Sequence, residues 1–144
     1  MPPKLELVRE WFQLARADLE AARVLLRGDP PLLRPAGFHL QQTIEKALKG
    51  VLLLNEQRPP RTHSLADLFG LVERWLPGVS EYEADCGWLT GCAVELRYPD
   101  SEIAISLDSA NRGLAATEAV FKYIRGKMPP EVVDYEAEEE NQDA

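Results

Sequence analysis

Apolar residues recur at heptad spacing near the start of the chain: Leu5, Val8, Phe12, Ala15, Leu19, Ala22 and Leu26 alternate by three and four positions. That spacing predicts a helix from about Lys4 to Arg27, packed along one stripe and wet on the other side, where Arg9, Glu10, Arg16, Glu20 and Arg23 fall. Gly28-Asp29-Pro30-Pro31 ends it. A second helix is predicted from about Pro35 to Asn55, with Phe38, Ile44, Leu48, Val51 and Leu52 as its buried side. Its other face is unusually polar and is expected to be exposed: His39, Gln41, Gln42, Glu45, Lys46 and Lys49, with Glu45 and Lys49 an i, i+4 pair in the favourable orientation. Glu56 to His63, with Arg58, Pro59, Pro60 and Arg61, reads as a basic loop.

Ser64 followed by Asp67 resembles a capping box and opens a third helix through about Trp75, closed by Pro77-Gly78. Residues 81–96 predict a weaker helix, since Gly87 and Gly91 each lower helical stability by up to about 1 kcal/mol against Ala. Tyr98-Pro99-Asp100 interrupts the chain. A last long helix follows from about Ser101 to Lys127, with Ile103, Leu107, Ala110, Leu114, Thr117, Phe121 and Ile124 at heptad spacing, and Met128-Pro129-Pro130 stops it. No stretch alternates with a period of two, so the chain reads as all-α, an antiparallel up-and-down bundle of four to five helices.

Length and charge refine this picture. A chain of 144 residues fits one domain, here expected over residues 1–130. The formal charge of −8 is uneven: residues 131–144 hold seven Asp and Glu and no Lys or Arg, against 17 acids and 16 bases in the rest. Residues 131–144 therefore read as an acidic, disordered tail, with an arm that covers a basic site as the alternative. A near-neutral body argues against non-specific duplex binding but leaves room for a local basic patch. No apolar run approaches the roughly 18 residues of a membrane span, so a cytoplasmic protein without membrane contact is expected. Cys86 and Cys92 form no CxxC motif and are expected to be free thiols. With only His39 and His63 as imidazole donors, no metal site and no cofactor are expected.

Three groups of residues have chemistry to offer. Gln42, Lys46 and Lys49 share one side of the second helix at i, i+4 and i+7, and with Arg58, Arg61 and His63 on the next loop they could receive a phosphate or a nucleotide. The alternative is a solvated helix face and an ordinary polar loop. Arg97-Tyr98-Pro99-Asp100 sets Arg97 near a helix start, with Asp100 or Ser101 as cap, where amides and dipole favour an anion. His63, just before the Ser64 cap, has the acid–base range for catalysis near neutral pH, or is a turn residue bonded locally.

The chain resembles the HEPN family of small helical domains. The residues that carry the resemblance are Trp11, Ala15, Asp18 and Leu19, the run Gln41-Gln42-Thr43-Ile44-Glu45-Lys46-Ala47-Leu48-Lys49, Thr62-His63-Ser64-Leu65, and Arg97-Tyr98-Pro99-Asp100. Together they span about residues 8 to 125. The resemblance implies a dimerising helical bundle that works beside nucleotides or RNA, often as one half of a toxin–antitoxin pair with a minimal nucleotidyltransferase. Ribonuclease members of the family carry Arg, four to six residues, then His near the start of the last long helix. Here no His follows Arg97 in that window, and the literal matches Arg34 to His39 and Arg58 to His63 lie in other elements.

The sequence thus reads as a HEPN-type nucleotide- or RNA-associated protein, a homodimer or higher homo-oligomer, and a partner or binding subunit of a minimal nucleotidyltransferase rather than a strong catalyst. Its expected binding residues are Gln42, Lys46, Lys49, Arg58, Arg61, His63 and Arg97. One rival is a metal-independent ribonuclease toxin using His63 and Arg97; another is an assembly protein without ligand, associating through the apolar stripes of the first and last long helices, Phe12 among them. By family analogy Tyr98 is a candidate acceptor of an AMP group.

Overall fold

A computed structural model describes residues 2–94, 99 and 104–134. Among them there is no strand, as the hydropathy pattern predicts. Helix α1 spans Pro3–Arg27, α2 Leu33–Leu54, α3 Leu65–Val72, α4 Glu83–Cys86, α5 Thr90–Val94, α6 Leu107–Gly126 and α7 Pro130–Val133. Arg97, Tyr98 and Asp100, with their expected roles in anion binding, modification and capping, lie outside the described residues.

The stripe on α1 is the core. Val8, Phe12, Ala15 and Ala22 are fully buried and Leu19 nearly so, packed with Leu40, Ile44, Leu48 and Val51 of α2. Helices α1 and α2 run antiparallel: Leu32 N–H donates to Leu25 O, Asp18 meets His39 and Lys46, and Lys4 meets Glu56. The backbones approach closely where Gly50 faces Phe12, whose ring carbon would lie 2.9 Å from any added Cβ. An assembly surface built on Phe12 is thereby overturned, because that stripe is already covered within the chain. What α1 leaves exposed is Leu7, Leu14 and Val24.

Helix α2 departs most from its predicted amphipathic character. It packs on α1, α3, α5 and α6 at once, and Gln41, Glu45 and Lys49 on its polar side are buried along with its apolar residues. Hydropathy spacing alone assigns such a stripe to water; here neighbouring elements cover it on every side.

Local chemistry sets the ends of the elements. Helix α2 closes in a Schellman motif, Glu56 N–H donating to Leu53 O and Gln57 N–H to Leu52 O, with Glu56 itself at φ 61°, a left-handed position usually given to glycine. Ser64 caps α3, its hydroxyl accepting from Asp67 N–H at 3.3 Å. The reciprocal half of the expected box is replaced, since Ser64 N–H turns to Thr62 Oγ1 instead. Helix α3 stops at Val72, short of Trp75. In place of the single weak helix expected over 81–96, the described part is broken into a 3-10 turn at Val79–Tyr82, α4, a second 3-10 turn that opens at Gly87 (Gly87–Leu89) and α5.

Two boundaries differ from the sequence reading. The long helix α6 begins at Leu107 rather than near Ser101, because Ser106 and Ser109 form a full capping box there and Ala104–Ser106 are not helical. The packed body also extends past residue 130: α7 seats Val132 and Val133 against α1 and the core, so the acidic tail expected from 131 can begin only after Val133.

Truncation separates the two faces of α1. Phe12→Ala should lower unfolding free energy by about 3–5 kcal/mol, whereas Val24→Ala should stay within about 0.5 kcal/mol, as read by urea denaturation. Equal effects would contradict the packing of α1. Cys86 and Cys92 are free and buried, and burial first, aided for Cys86 by Asp85 and Glu83, pushes their thiols up to about 12 and about 11. Neither should react with a thiol reagent at pH 8 until the protein is unfolded; rapid labelling of the native protein would refute this.

Candidate functional site

The polar side of α2 organises a cluster built on two shielded carboxylates. Asp18 of α1 receives Lys46 Nζ at 2.6 Å on one oxygen and lies 2.8 Å from His39 Nδ1 with the other. Glu45 of α2 is the second carboxylate. Its Oε1 accepts from Gln41 Nε2 at 3.0 Å and lies 2.7 Å from His63 Nδ1, and its Oε2 receives Lys49 Nζ at 3.3 Å. The side chain of Glu45 is only 6% exposed and that of Lys49 10%, while His63 remains 56% exposed.

Gln41 is the hub of this arrangement. Fully buried, it donates through Nε2 both to Glu45 and to the backbone carbonyl of His63, and its Oε1 accepts from Gln42 Nε2 at 2.7 Å. Each contact is required, because a buried amide left unpaired costs about 1–3 kcal/mol. On its far side the histidine is followed by the Ser64 cap, and Leu65 N–H donates to Thr90 Oγ1 at 3.1 Å. The backbone that carries His63 is therefore held on both sides by side chains from other elements.

Burial pushes the Glu45 carboxyl up, but hydrogen bonds from Gln41 and His63 and the charges of Lys49 and His63 outweigh it and hold the group below its ordinary value of 4.5. At neutral pH the carboxylate is thus an acceptor only, which fixes the proton of the shared hydrogen bond on His63 Nδ1. The ring nitrogen left for other chemistry is Nε2. A buried carboxylate behind an exposed imidazole is an arrangement that orients a proton donor or acceptor at the surface.

The expected binding residues divide into two sets. Lys46 and Lys49 are drawn inward as ion-pair partners of Asp18 and Glu45, and Gln42 is half-buried against Gln41, so their first role is to neutralise and orient the cluster. Arg58 and Arg61 lie exposed on the α2–α3 loop with His63, and neither forms an ion pair among the described residues. A shallow apolar groove of about 550 Å³, lined by Pro60, Thr62, Ala66, Asp67, Gly70 and Leu71, opens beside that loop. Sequence reasoning missed Asp18, His39, Gln41 and Glu45 as members of the site. The available signal was the line Gln41, Glu45, Lys49 beside the equally polar His39, Gln42 and Lys46, too many polar positions for one solvated stripe on a helix otherwise rich in apolar and small residues. Among the described residues no three His, Cys, Asp or Glu side chains stand together as a metal ion would need, and no helix is long and apolar enough to cross a membrane.

The lowered Glu45 value has a definite sign in stability. A carboxyl held below its unfolded value contributes fully above about pH 4.5, and the contribution is lost as pH falls through the folded value. Glu45→Ala strands Lys49 and should cost about 3–5 kcal/mol at pH 7. The gap between variant and native protein should narrow as the pH is taken well below 4.5, as measured by urea unfolding at a series of pH values. A gap independent of pH would show that the charge on Glu45 is not what stabilises the cluster.

The model of the HEPN domain matches residues 8–127. No curated protein matches the chain. Among solved structures, the crystal structure of TT1696 from Thermus thermophilus is similar with a TM-score of 0.70 and 25% identity, covering 84% of this chain and 98% of that one. The all-α bundle, with its central polar helix and the following histidine-bearing loop, is matched over nearly all of its described length by one family model, and the chain belongs to the HEPN domain family.

Proposed function

We propose that this chain is a nucleotide- or RNA-associated HEPN protein that serves as the binding subunit of a minimal nucleotidyltransferase in a toxin–antitoxin-like pair. The observation that carries the reading is the α2–α3 loop, where exposed His63 is held by buried Glu45 and Gln41 beside the exposed cations Arg58 and Arg61. Two guanidiniums and an imidazole on one rigidly held loop suit phosphate oxygens, since guanidinium groups bind them with charge-assisted, often bidentate hydrogen bonds. Lys46 and Lys49 act behind this surface, fixing the carboxylates. A homodimer fits the same reading, with the exposed Leu7 and Leu14 of α1, one heptad apart, as its apolar contact.

One observation favours a second reading, a metal-independent ribonuclease. The Glu45–His63 bond leaves Nε2 positioned for proton transfer, the role His63 takes in that mechanism with Arg97 stabilising the phosphate.

The two readings separate in one set of measurements. Arg58→Ala with Arg61→Ala should weaken binding of ATP or a single-stranded RNA by roughly tenfold or more, and should lower the salt dependence of RNA binding by about one to two charges. Unchanged affinity for both ligands would overturn the loop as the binding site. Cleavage of the RNA by the native protein, lost in His63→Ala with the fold intact, would select the ribonuclease instead.

A further inference from the structure

The face of α3 turned away from the core is built unlike an ordinary solvated helix surface. Leu65, Leu68, Phe69 and Val72 are buried, and the outward positions are Ala66, Asp67, Gly70 and Leu71, all exposed. Ala66 and Gly70, at i and i+4, make a floor without side-chain bulk, and Pro60 and Thr62 of the preceding loop line the groove of about 550 Å³ beside it. Glycine is unfavourable inside a helix relative to alanine, yet a Cβ added at Gly70 would meet nothing within 4 Å, so no neighbour in the fold requires its absence. What the glycine preserves is the open space of the groove.

Groove and loop cations are continuous along the chain. Arg61 sits between Pro60 and Thr62, both groove residues, and Arg58 lies two positions before Pro60. Consecutive Cα atoms are about 3.8 Å apart, so a phosphate on Arg61 and a ring in the groove fall within the span of one nucleotide. Polarity decides which end goes where. Asp67 is the one charged side chain lining the groove, and it, Arg58 and Arg61 form no ion pair among the described residues. A carboxylate there repels phosphate oxygens and accepts N–H donors, while Pro60, Ala66 and Leu71 offer apolar contact to a flat ring.

We propose that this groove is the base subsite of the α2–α3 loop and takes the guanine of a guanine nucleotide whose phosphates lie on Arg58 and Arg61. The inference rests on the reading of that loop as a phosphate-binding surface and adds the identity of the base. Guanine alone among the common bases presents two adjacent N–H groups, at N1 and N2, on its pairing edge, which match the two oxygens of a carboxylate such as Asp67. Adenine and cytosine set a ring acceptor beside a single amino group, and that acceptor is repelled by the carboxylate. Uracil flanks its one N–H with carbonyl oxygens. The guanine ring lies over the floor of Ala66 and Gly70 against Leu71, the space that a side chain at position 70 would take.

The test is calorimetric titration of the full chain with GTP, ATP, UTP and inorganic tripolyphosphate. GTP should bind roughly tenfold or more tightly than UTP or tripolyphosphate, because its two N–H groups meet a charged acceptor. Gly70→Leu fills the groove from an open position; it should abolish the preference for GTP and leave tripolyphosphate affinity within about twofold, the two subsites being separate. Urea unfolding no weaker than that of the native chain checks its fold, leucine being the better helix former. Asp67→Asn should cut the preference of GTP over ATP several-fold. GTP binding no tighter than ATP or tripolyphosphate, or a preference that survives either substitution, would overturn the guanine subsite while the loop reading stands. Failure of the loop reading looks different: tripolyphosphate affinity unchanged by Arg58→Ala with Arg61→Ala, or no binding of any of the four compounds, removes the phosphate site and the base subsite with it.

Discussion

Burial of a polar line on a central helix is the constraint from which the rest of this structure follows. Helix α2 is covered by α1, α3, α5 and α6, so Gln41, Glu45 and Lys49 cannot turn to water for their hydrogen bonds. They satisfy one another and then draw in groups from outside the helix: Asp18 for Lys46 and His39 on one side, the carbonyl and ring of His63 on the other. A bundle helix that would otherwise be anchored by apolar packing alone is thereby tied to a particular neighbour and to a particular loop.

The arrangement converts a stability problem into a surface property. Removing either Glu45 or Gln41 would leave buried polar groups without partners, so the same interactions that hold the core together also hold the loop that carries His63, Arg58 and Arg61. The loop begins at a helix end pinned by the Schellman contacts around Glu56 and ends at the Ser64 cap, with Thr90 bonded to the next amide. Its cations and imidazole are exposed while its backbone is restrained, a combination suited to a binding surface because little order need be created when a ligand arrives. Membership of the HEPN domain family supplies the fold-level context, and the chemistry resides in this loop and the carboxylates behind it.

A different logic applies at the α1–α6 groove. There Arg16, Arg23, Lys122 and Arg125 come together with Glu118 because two helices lie side by side, and Arg125 also donates to the carbonyl of Val133. The fold thus separates its cations into two populations: Lys46 and Lys49 neutralise buried carboxylates, while Arg58, Arg61 and Lys122 remain on the surface.

The chain's own pattern determined the all-α class, the α1 stripe from Val8 to Leu26, the helix-breaking segments around Pro30 and Pro59 and the Ser64 cap. These are local matters, set by periodicity, by proline and glycine geometry and by hydroxyl capping, all of which operate within a few residues. The start of α6 escaped that reading because it is set by a reciprocal pair further along the chain, Ser106 and Ser109, rather than by the nearest candidate cap after the proline. The seating of Val132 and Val133 escaped it because a four-residue helix has no periodicity to detect. Above all, only the tertiary structure decided that the polar face of α2 is interior. Hydropathy records which side chains prefer water, but whether a polar line meets water or a neighbouring carboxylate depends on how many helices surround it, and that number is a property of the packed chain.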